Sequence, residues 1–350
     1  MSKFARQNVR KLKPYVPGEQ PAPGTKVIKL NTNENPYAPS PAVRATLRSY
    51  AGADLRKYPQ PHWTTFRQAA ARTFKIDPEN IFAGNGSDEV LNLIVRAFVE
   101  PGEKIAYPVP TYSLYPVLAR IQEAQVVEVP FGERFDLPAE GLLASGAKLA
   151  FIANPNAPTG TMIEPAVIEA FARRFKGLVV VDEAYVDFAE ANCLPLVGRN
   201  GNIIVSRTLS KSYSLAGLRF GFAVASKPIV EDLMKIKDSY NCDALAIELA
   251  TRAVEDQSYM RRNADRIRRQ RAWLTNRLTE LGFAVMPSQA NFVWATRARP
   301  AAKAIYQDLK ARGILVRYFD QGQLRRGLRI TVGLPQENRA LIAALREILA

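Results

Sequence analysis

The sequence predicts an α/β protein, with a large domain on a mostly parallel central sheet flanked by helices plus a smaller α+β domain. Three observations carry this. Between about residues 40 and 235, runs of consecutive Val, Ile, Leu and Ala alternate with helix-like segments, as strands covered on both faces do. Polar clusters follow several of those runs, where an open parallel sheet places its ligands. Toward the C-terminus the pattern changes to a shorter strand and helix alternation, which marks a second unit. At 350 residues the chain is long enough for both.

Residues 1–30 carry Pro14, Pro17, Pro21 and Pro23 and read as an irregular arm lying across the body or a partner subunit. The large domain is expected over 31–235. Gly84-Asn85-Gly86-Ser87 leads into a helix from Asp88 to Val99, which Pro101-Gly102 ends. A strand Lys104–Tyr107 and a helix from about Thr111 to Gln122 follow. Strands are expected at Val126–Val129, Lys148–Ala153, Gly177–Asp182 and Asn202–Val205, with a helix Pro165–Phe175 between the second and third. The smaller domain is expected over 236–350. Helices dominate it to about 279. Strands at Ala290–Trp294, Ile314–Arg317 and Leu328–Val332 then alternate with a helix Pro300–Arg312 and a final helix.

Composition narrows the function. Of the chain, 47% is hydrophobic and 23% charged, and no apolar run is long enough to span a membrane. The basic N-terminus lacks a following apolar core and cleavage site, which predicts a cytoplasmic protein. Cys193 and Cys242 form no CxxC pair and His62 is the lone histidine, so neither a disulfide scaffold nor a metal site is expected. The net charge of +15 raises nucleic-acid binding, for which Arg261 to Arg277, with seven arginines, is the densest segment. No nucleic-acid motif accompanies it, and it reads as a solvated helix face. A positive field that captures anionic small molecules is the alternative.

Four polar clusters converge on one sheet edge: Gly84 to Asp88, Asn154 to Gly160, Asp182 to Tyr185, and Thr208 to Lys211. Lys211, flanked by hydroxyls and followed by Arg219, suits a Schiff base with an aldehyde cofactor whose phosphate the hydroxyls and the arginine hold. Read alone, the segment suits a surface lysine equally well. The Gly-rich turn before Ser87 offers free N–H groups at a helix start, which favour phosphate. Asp182, ending an apolar strand, could pair with a pyridinium nitrogen, and Tyr185 could bond a ring oxygen. Tyr112 could stack on a flat ring. Arg317 and Arg329 suit one or two anionic groups on a substrate. There is no P-loop and no G-x-S-x-G elbow. Thr208-Leu209-Ser210-Lys211 has the S-x-x-K spacing, but the companion K-T-G is missing.

Taken together, Leu30-Asn31-x-Asn-Glu-Asn-Pro36, Lys57-Tyr58-Pro59, Gly84-x-Gly-Ser-Asp-Glu89, Asn154-Pro155-Asn156-x-Pro-Thr-Gly160, Asp182-Glu183-Ala184-Tyr185, Thr208-Leu209-Ser210-Lys211 and Gly217-Leu218-Arg219 stand in the order of a known family. Over Leu12 to Val332 the chain resembles the fold-type I, class I/II aminotransferases. The resemblance implies pyridoxal 5'-phosphate carried on Lys211, with Asp182 facing the ring nitrogen, Tyr185 the ring oxygen and Tyr112 the ring plane. Ser87, Asp88, Thr208, Ser210 and Arg219 would hold the phosphate. Tyr58 would reach the phosphate of the other subunit, implying a homodimer with shared sites. Arg329, Arg317, Tyr15 and Asn33 would face the substrate. The position that usually carries an asparagine on the ring oxygen is Ala157 here, and Asn156 is its expected substitute. The activity implied is transamination from L-histidinol phosphate to 2-oxoglutarate. An aromatic amino-acid aminotransferase and a pyridoxal-phosphate-dependent phospho-amino-acid decarboxylase are the neighbouring alternatives.

Overall fold

A computed structural model describes residues 2–22, 24–50, 53–132 and 134–350, with the side chains of residues 53 and 54 left aside. Pro23, named above as part of the arm, lies outside the described residues. The arm is not wholly irregular. It contains a short helix, Gln7–Lys11, and a strand, β1 (Ile28–Lys29).

The central sheet contains β2 (Ile81–Gly84), β3 (Lys104–Val109), β4 (Gln125–Pro130), β5 (Leu149–Ala153), β6 (Leu178–Asp182), β7 (Ile203–Thr208) and β8 (Gly221–Val224). Its order is β2-β8-β7-β6-β5-β3-β4. Every neighbouring pair is parallel except those made by β8, which runs against β7 and β2. The apolar runs of β5, β6 and β7 are almost entirely buried, which is why their sequences read as continuous rather than alternating. β2 and β8 were not recognised as strands in the sequence. Each is four residues long and starts or ends on glycine, so neither makes a distinct apolar run.

The reversal of β8 matters for the site. The chain leaves β7 at Thr208, passes through Lys211 and Arg219, and re-enters the sheet at Gly221 on that same edge. Gly221 pairs with Gly84, and a Cβ on it would lie 2.3 Å from the Ser87 amide nitrogen. Glycine here lets two loops of the edge touch.

Beyond this sheet, β9 (Ala284–Val285), β10 (Phe292–Thr296), β12 (Arg317–Tyr318) and β13 (Gly327–Thr331) form an antiparallel sheet in the order β12-β13-β10-β9. The single strand expected over Ile314–Arg317 is split. β11 (Ile314–Leu315) pairs in parallel with β1 of the arm, while β12 pairs with β13. The helix expected from Thr111 begins only at Tyr115, with Pro116 in its first turn, so Tyr112 stays in the preceding loop. The helix Ala244–Glu255, although it follows position 235, packs against Pro41–Ser49 and Thr64–Phe74.

The carboxyl edge is braced by a buried ion pair. Arg207 on β7 donates to Glu183 Oε2 through Nε (2.9 Å) and Nη2 (2.8 Å). Glu183 also accepts the Cys193 N–H. Removing one partner leaves the other charge buried and unpaired. Glu183→Ala should therefore lose roughly 3–5 kcal/mol of unfolding free energy, measured by urea denaturation at neutral pH.

Candidate active site

A cavity of about 260 Å³ opens where the central sheet, the arm and the smaller sheet meet. Its wall includes Lys211, Asp182, Tyr185, Tyr112, Thr208, Ser210, Ser87, Asp88 and Arg219 from the central-sheet side. Tyr15 and Asn33 line it from the N-terminal segment, and Arg317 and Arg329 from the smaller sheet. All the expected site residues but two thus border one space.

At one end, the helix Ser87–Phe98 starts behind Gly86, and no side chain caps it. Its first N–H groups and its dipole favour an anion there. Arg219, held in the left-handed region (φ 55°), donates from Nη1 to Ser210 Oγ (3.3 Å) and lies 3.6 Å from Asp88. Thr208 Oγ1 donates to Ser210 Oγ (2.9 Å). Hydroxyls, helix amides and a guanidinium thus surround one small volume, the donor set a phosphate group requires.

In the middle, Lys211 Nζ donates to the Thr32 carbonyl (3.3 Å) and sits 5.6 Å from the centre of the Tyr185 ring. Asp182 is buried beneath. Its Oδ2 accepts the Tyr115 hydroxyl (2.9 Å) and its Oδ1 the Ala184 N–H (3.2 Å). Burial pushes this carboxyl up from the ordinary 3.8 to about 6. Asp88 and Glu183 add to the rise, and the two hydrogen bonds oppose it. No cation within the chain pairs directly with it among the described contacts. Tyr112 stands edge-on to Tyr15 (5.8 Å) and donates its hydroxyl to Asp88 (3.2 Å). Tyr185 OH accepts from Asn33 Nδ2 (3.0 Å), so its own proton is free to point into the cavity. An aldehyde-bearing pyridine ring with a phosphate fits this chemistry: an amine, a carboxylate below, a phenol donor and an anion cradle.

At the other end, Arg329 donates from Nη2 to the Asn31 carbonyl (3.0 Å) and lies over Phe292 and Phe319, while its buried Nε has no hydrogen-bond partner. Arg317, its register partner on β12, donates to the Val16 and Pro17 carbonyls.

Two expected residues stand elsewhere. Asn156 is turned away from the cavity. Its Nδ2 donates to the Pro110 carbonyl (3.0 Å) and Thr159 Oγ1 (2.9 Å), and its Oδ1 accepts from Thr111 (2.9 Å). Both amide hydrogens are committed to the loop, so Asn156 does not replace an asparagine at the Ala157 position, and Ala157 itself lines the wall. Tyr58 is 80% exposed and stacks on Tyr240 (4.4 Å) outside its own chain's cavity. One important residue escaped the sequence reading: Tyr115, three positions after Tyr112, which looked like an ordinary helix-face aromatic.

An α/β scaffold whose cavity joins a lysine, a buried carboxylate and an anion cradle defines a class of group-transfer enzymes, and the comparisons name it. The family model "Aminotransferase class I and II" matches residues 25–345. Histidinol-phosphate aminotransferase 1 of Trichormus variabilis is 45% identical over 349 residues, covering 100% of both chains. Histidinol-phosphate aminotransferase of Rhodopirellula baltica is 48% identical over 330 residues, 94% of this chain and 91% of that one. The crystal structure of histidinol-phosphate aminotransferase from Sinorhizobium meliloti in complex with pyridoxal-5'-phosphate superposes with a TM-score of 0.92 at 30% identity, covering 100% and 98%. Thermus thermophilus aspartate aminotransferase with maleate shares the fold alone, with a TM-score of 0.83 at 21% identity and 99% coverage of each chain. The chain belongs to the class I and II aminotransferases.

The raised Asp182 carboxyl makes a prediction for the cofactor-free protein. A group held above its ordinary value stabilises the fold while protonated, and that contribution is lost as pH rises through its folded value. Unfolding free energy should fall between about pH 4 and 6 by roughly 3 kcal/mol from this group, two units at 1.36 each. Asp182→Asn should abolish that slope, as read from urea midpoints across the range.

Proposed function

We propose that this protein is a pyridoxal-phosphate-dependent transaminase that converts L-histidinol phosphate and 2-oxoglutarate to imidazole acetol phosphate and L-glutamate. The observation that carries it is the sharing of one cavity by Lys211, Asp182 and the Arg219 cradle at one end with Arg317 and Arg329 at the other. The identity of full-length relatives bearing the histidinol-phosphate aminotransferase name supports the substrate.

Pyridoxal phosphate, when bound, supplies an aldehyde that condenses with amines and a ring that takes up the electron pair left on the substrate α-carbon. The chain's own residues do the rest. Ser87, Asp88, Thr208, Ser210 and Arg219 hold the phosphate through backbone and side-chain donors. Asp182 would favour a protonated ring nitrogen by charge, and such a cation would in turn stabilise the buried carboxylate. Tyr185 donates to the ring oxygen, oriented by Asn33. Tyr112 covers the ring face. Lys211 Nζ would take up the proton of the substrate α-carbon and hold it for return, the position of a general base and then acid. The buried Nε of Arg329 offers a donor to the substrate's phosphate or carboxylate, and Arg317 adds charge beside it. Tyr15 closes that end.

Tyr58 supports a homodimer. Exposed on its own chain and stacked on Tyr240, it is available to a neighbouring subunit's phosphate site. We take the arm as 1–30, the large domain as 31–235 with the packing of Ala244–Glu255 added to it, and the smaller domain as the rest. No helix among the described residues is long and apolar enough to cross a membrane, and no described group of three or more His, Cys, Asp or Glu could hold a metal ion. A cytoplasmic location, with small-molecule amino and keto partners, fits this reading.

Lys211→Ala should lose the yellow absorbance band and at least a thousandfold of turnover, on the order expected for removal of both the nucleophile and the base. Arg329→Ala should raise KM for histidinol phosphate far more than it lowers kcat. Turnover of phenylalanine equal to that of histidinol phosphate would instead favour an aromatic amino-acid aminotransferase. Carbon dioxide release without a keto acid would favour a decarboxylase.

A further inference from the structure

The Tyr115 ring is fully buried and does not line the cavity. It stacks face to face on Phe151 of β5 (4.4 Å, 7°) and leans on Tyr107 of β3 (5.9 Å). Phenylalanine would satisfy all of that packing. The hydroxyl therefore needs its own account, because a buried hydroxyl is unfavourable unless it is bonded. Among the described residues its hydrogen-bond partner is Asp182 Oδ2, at 2.9 Å. The Tyr115 ring also makes a T-shaped contact with Tyr112, at 5.6 Å and 87°. One residue thus touches both the carboxylate below the cavity and the aromatic ring that walls it.

We propose that Tyr115 is a positioning residue for the cofactor ring, holding the Asp182 carboxylate by its hydroxyl and the plane of Tyr112 by the T-shaped contact of the two rings. This rests on pyridoxal phosphate being the cofactor. The geometry is specific. Tyr115 takes Oδ2 and the Ala184 N–H takes Oδ1, so rotation of the carboxylate is fixed and its free lone pairs are left for the cavity. The bond is charge-assisted, so it favours the ionised carboxylate against burial. The other groups facing Asp182 do not supply this. Asp88 on the helix Ser87–Phe98 and Glu183, the residue just after β6, both oppose its charge. Glu183 is itself occupied by Arg207, and the phenols of Tyr112 and Tyr185 bond Asp88 and Asn33. Lys211 Nζ is bonded to the Thr32 carbonyl. Burial holds the Tyr115 phenol well above its ordinary range, so it remains a donor at every working pH.

Tyr115→Phe keeps the ring and deletes the bond. In the cofactor-free variant, the fall in urea midpoint with rising pH should extend at least about one unit further toward alkaline pH than in the wild type. It should disappear when Asp182→Asn is added. Pyridoxal phosphate, titrated by absorbance, should bind the single variant about tenfold more weakly at pH 7, with the deficit shrinking as pH rises toward 8.5 and Asp182 ionises. A wild type that takes up pyridoxal phosphate while Tyr115→Phe matches it in both measurements overturns this proposal alone. A wild type that takes up none overturns the functional reading, and this proposal with it.

Discussion

The active end of this molecule depends on a carboxylate placed where it is unfavourable. Asp182 ends β6, is buried, and among the described residues has a phenol and a backbone amide as hydrogen-bond partners. Two other carboxylates, Asp88 and Glu183, lie close enough to oppose its charge. A buried anion without a cation is a standing cost in the empty protein. A protonated ring nitrogen beside Asp182, as proposed above, would offset that cost, and part of the affinity for such a ligand would then be relief of it. The contrast with Glu183 one residue on is instructive. Glu183 is equally buried but has Arg207 in two-bond contact, so it braces the edge and has no charge left to offer a ligand.

The same logic of used and unused valences separates the remaining groups. Asn33 adopts a left-handed conformation (φ 57°), and its main chain and side chain are bound on several sides. Its N–H donates to Thr331 Oγ1, its Oδ1 accepts from that hydroxyl, its carbonyl accepts from Asn291, and its Nδ2 donates to Tyr185. That leaves the Tyr185 proton pointing at the cavity and ties its position to β13 of the smaller sheet. Movement of the smaller sheet would therefore be felt at the phenol. Asn33, expected at the substrate, both borders the cavity and bonds the Tyr185 phenol. Asn156 is the opposite case: a residue of the right type, one position from the expected place, whose hydrogens the loop has already consumed.

The sequence made legible whatever depends on residue type at a strand end. The apolar runs of β5, β6 and β7 and the polar clusters behind them placed Asp182, Thr208 and Lys211 on one edge, because a parallel sheet brings its carboxyl ends together. What escaped depends on pairing between distant segments. β1 and β11 are two residues each and exist only through each other. β8 is hidden by its glycine and its reversed direction, yet it is what returns Arg219 to the cradle. Tyr115 carries no signal in a single sequence beyond lying three residues after Tyr112. Its contact with Asp182 exists only because the fold lays the end of β6 beside the first residue of its helix. The break at Tyr115 was readable in principle from Pro116, which belongs in a first turn rather than a second.

The positive charge, which first raised nucleic acid as a partner, is largely consumed inside the molecule where it looked densest. On the helix Gln257–Glu280, Arg271 inserts its guanidinium between the Phe188 and Ala290 carbonyls, joining the loop after β6 to the approach to β10. Burial lowers its pKa to about 10, still well above physiological pH, so it stays charged there. Arg268 pairs with Asp265, Arg277 with Glu280, and Arg266 lies over the Tyr37 ring. A surface that reads phosphate backbones needs its guanidiniums free and in a row. Here four of the seven are engaged within the chain, and Arg261 and Arg268 border a second, more open pocket. Arg219, Arg317 and Arg329 border the cavity that holds Lys211 and Asp182, so positive charge stands at both ends of that space.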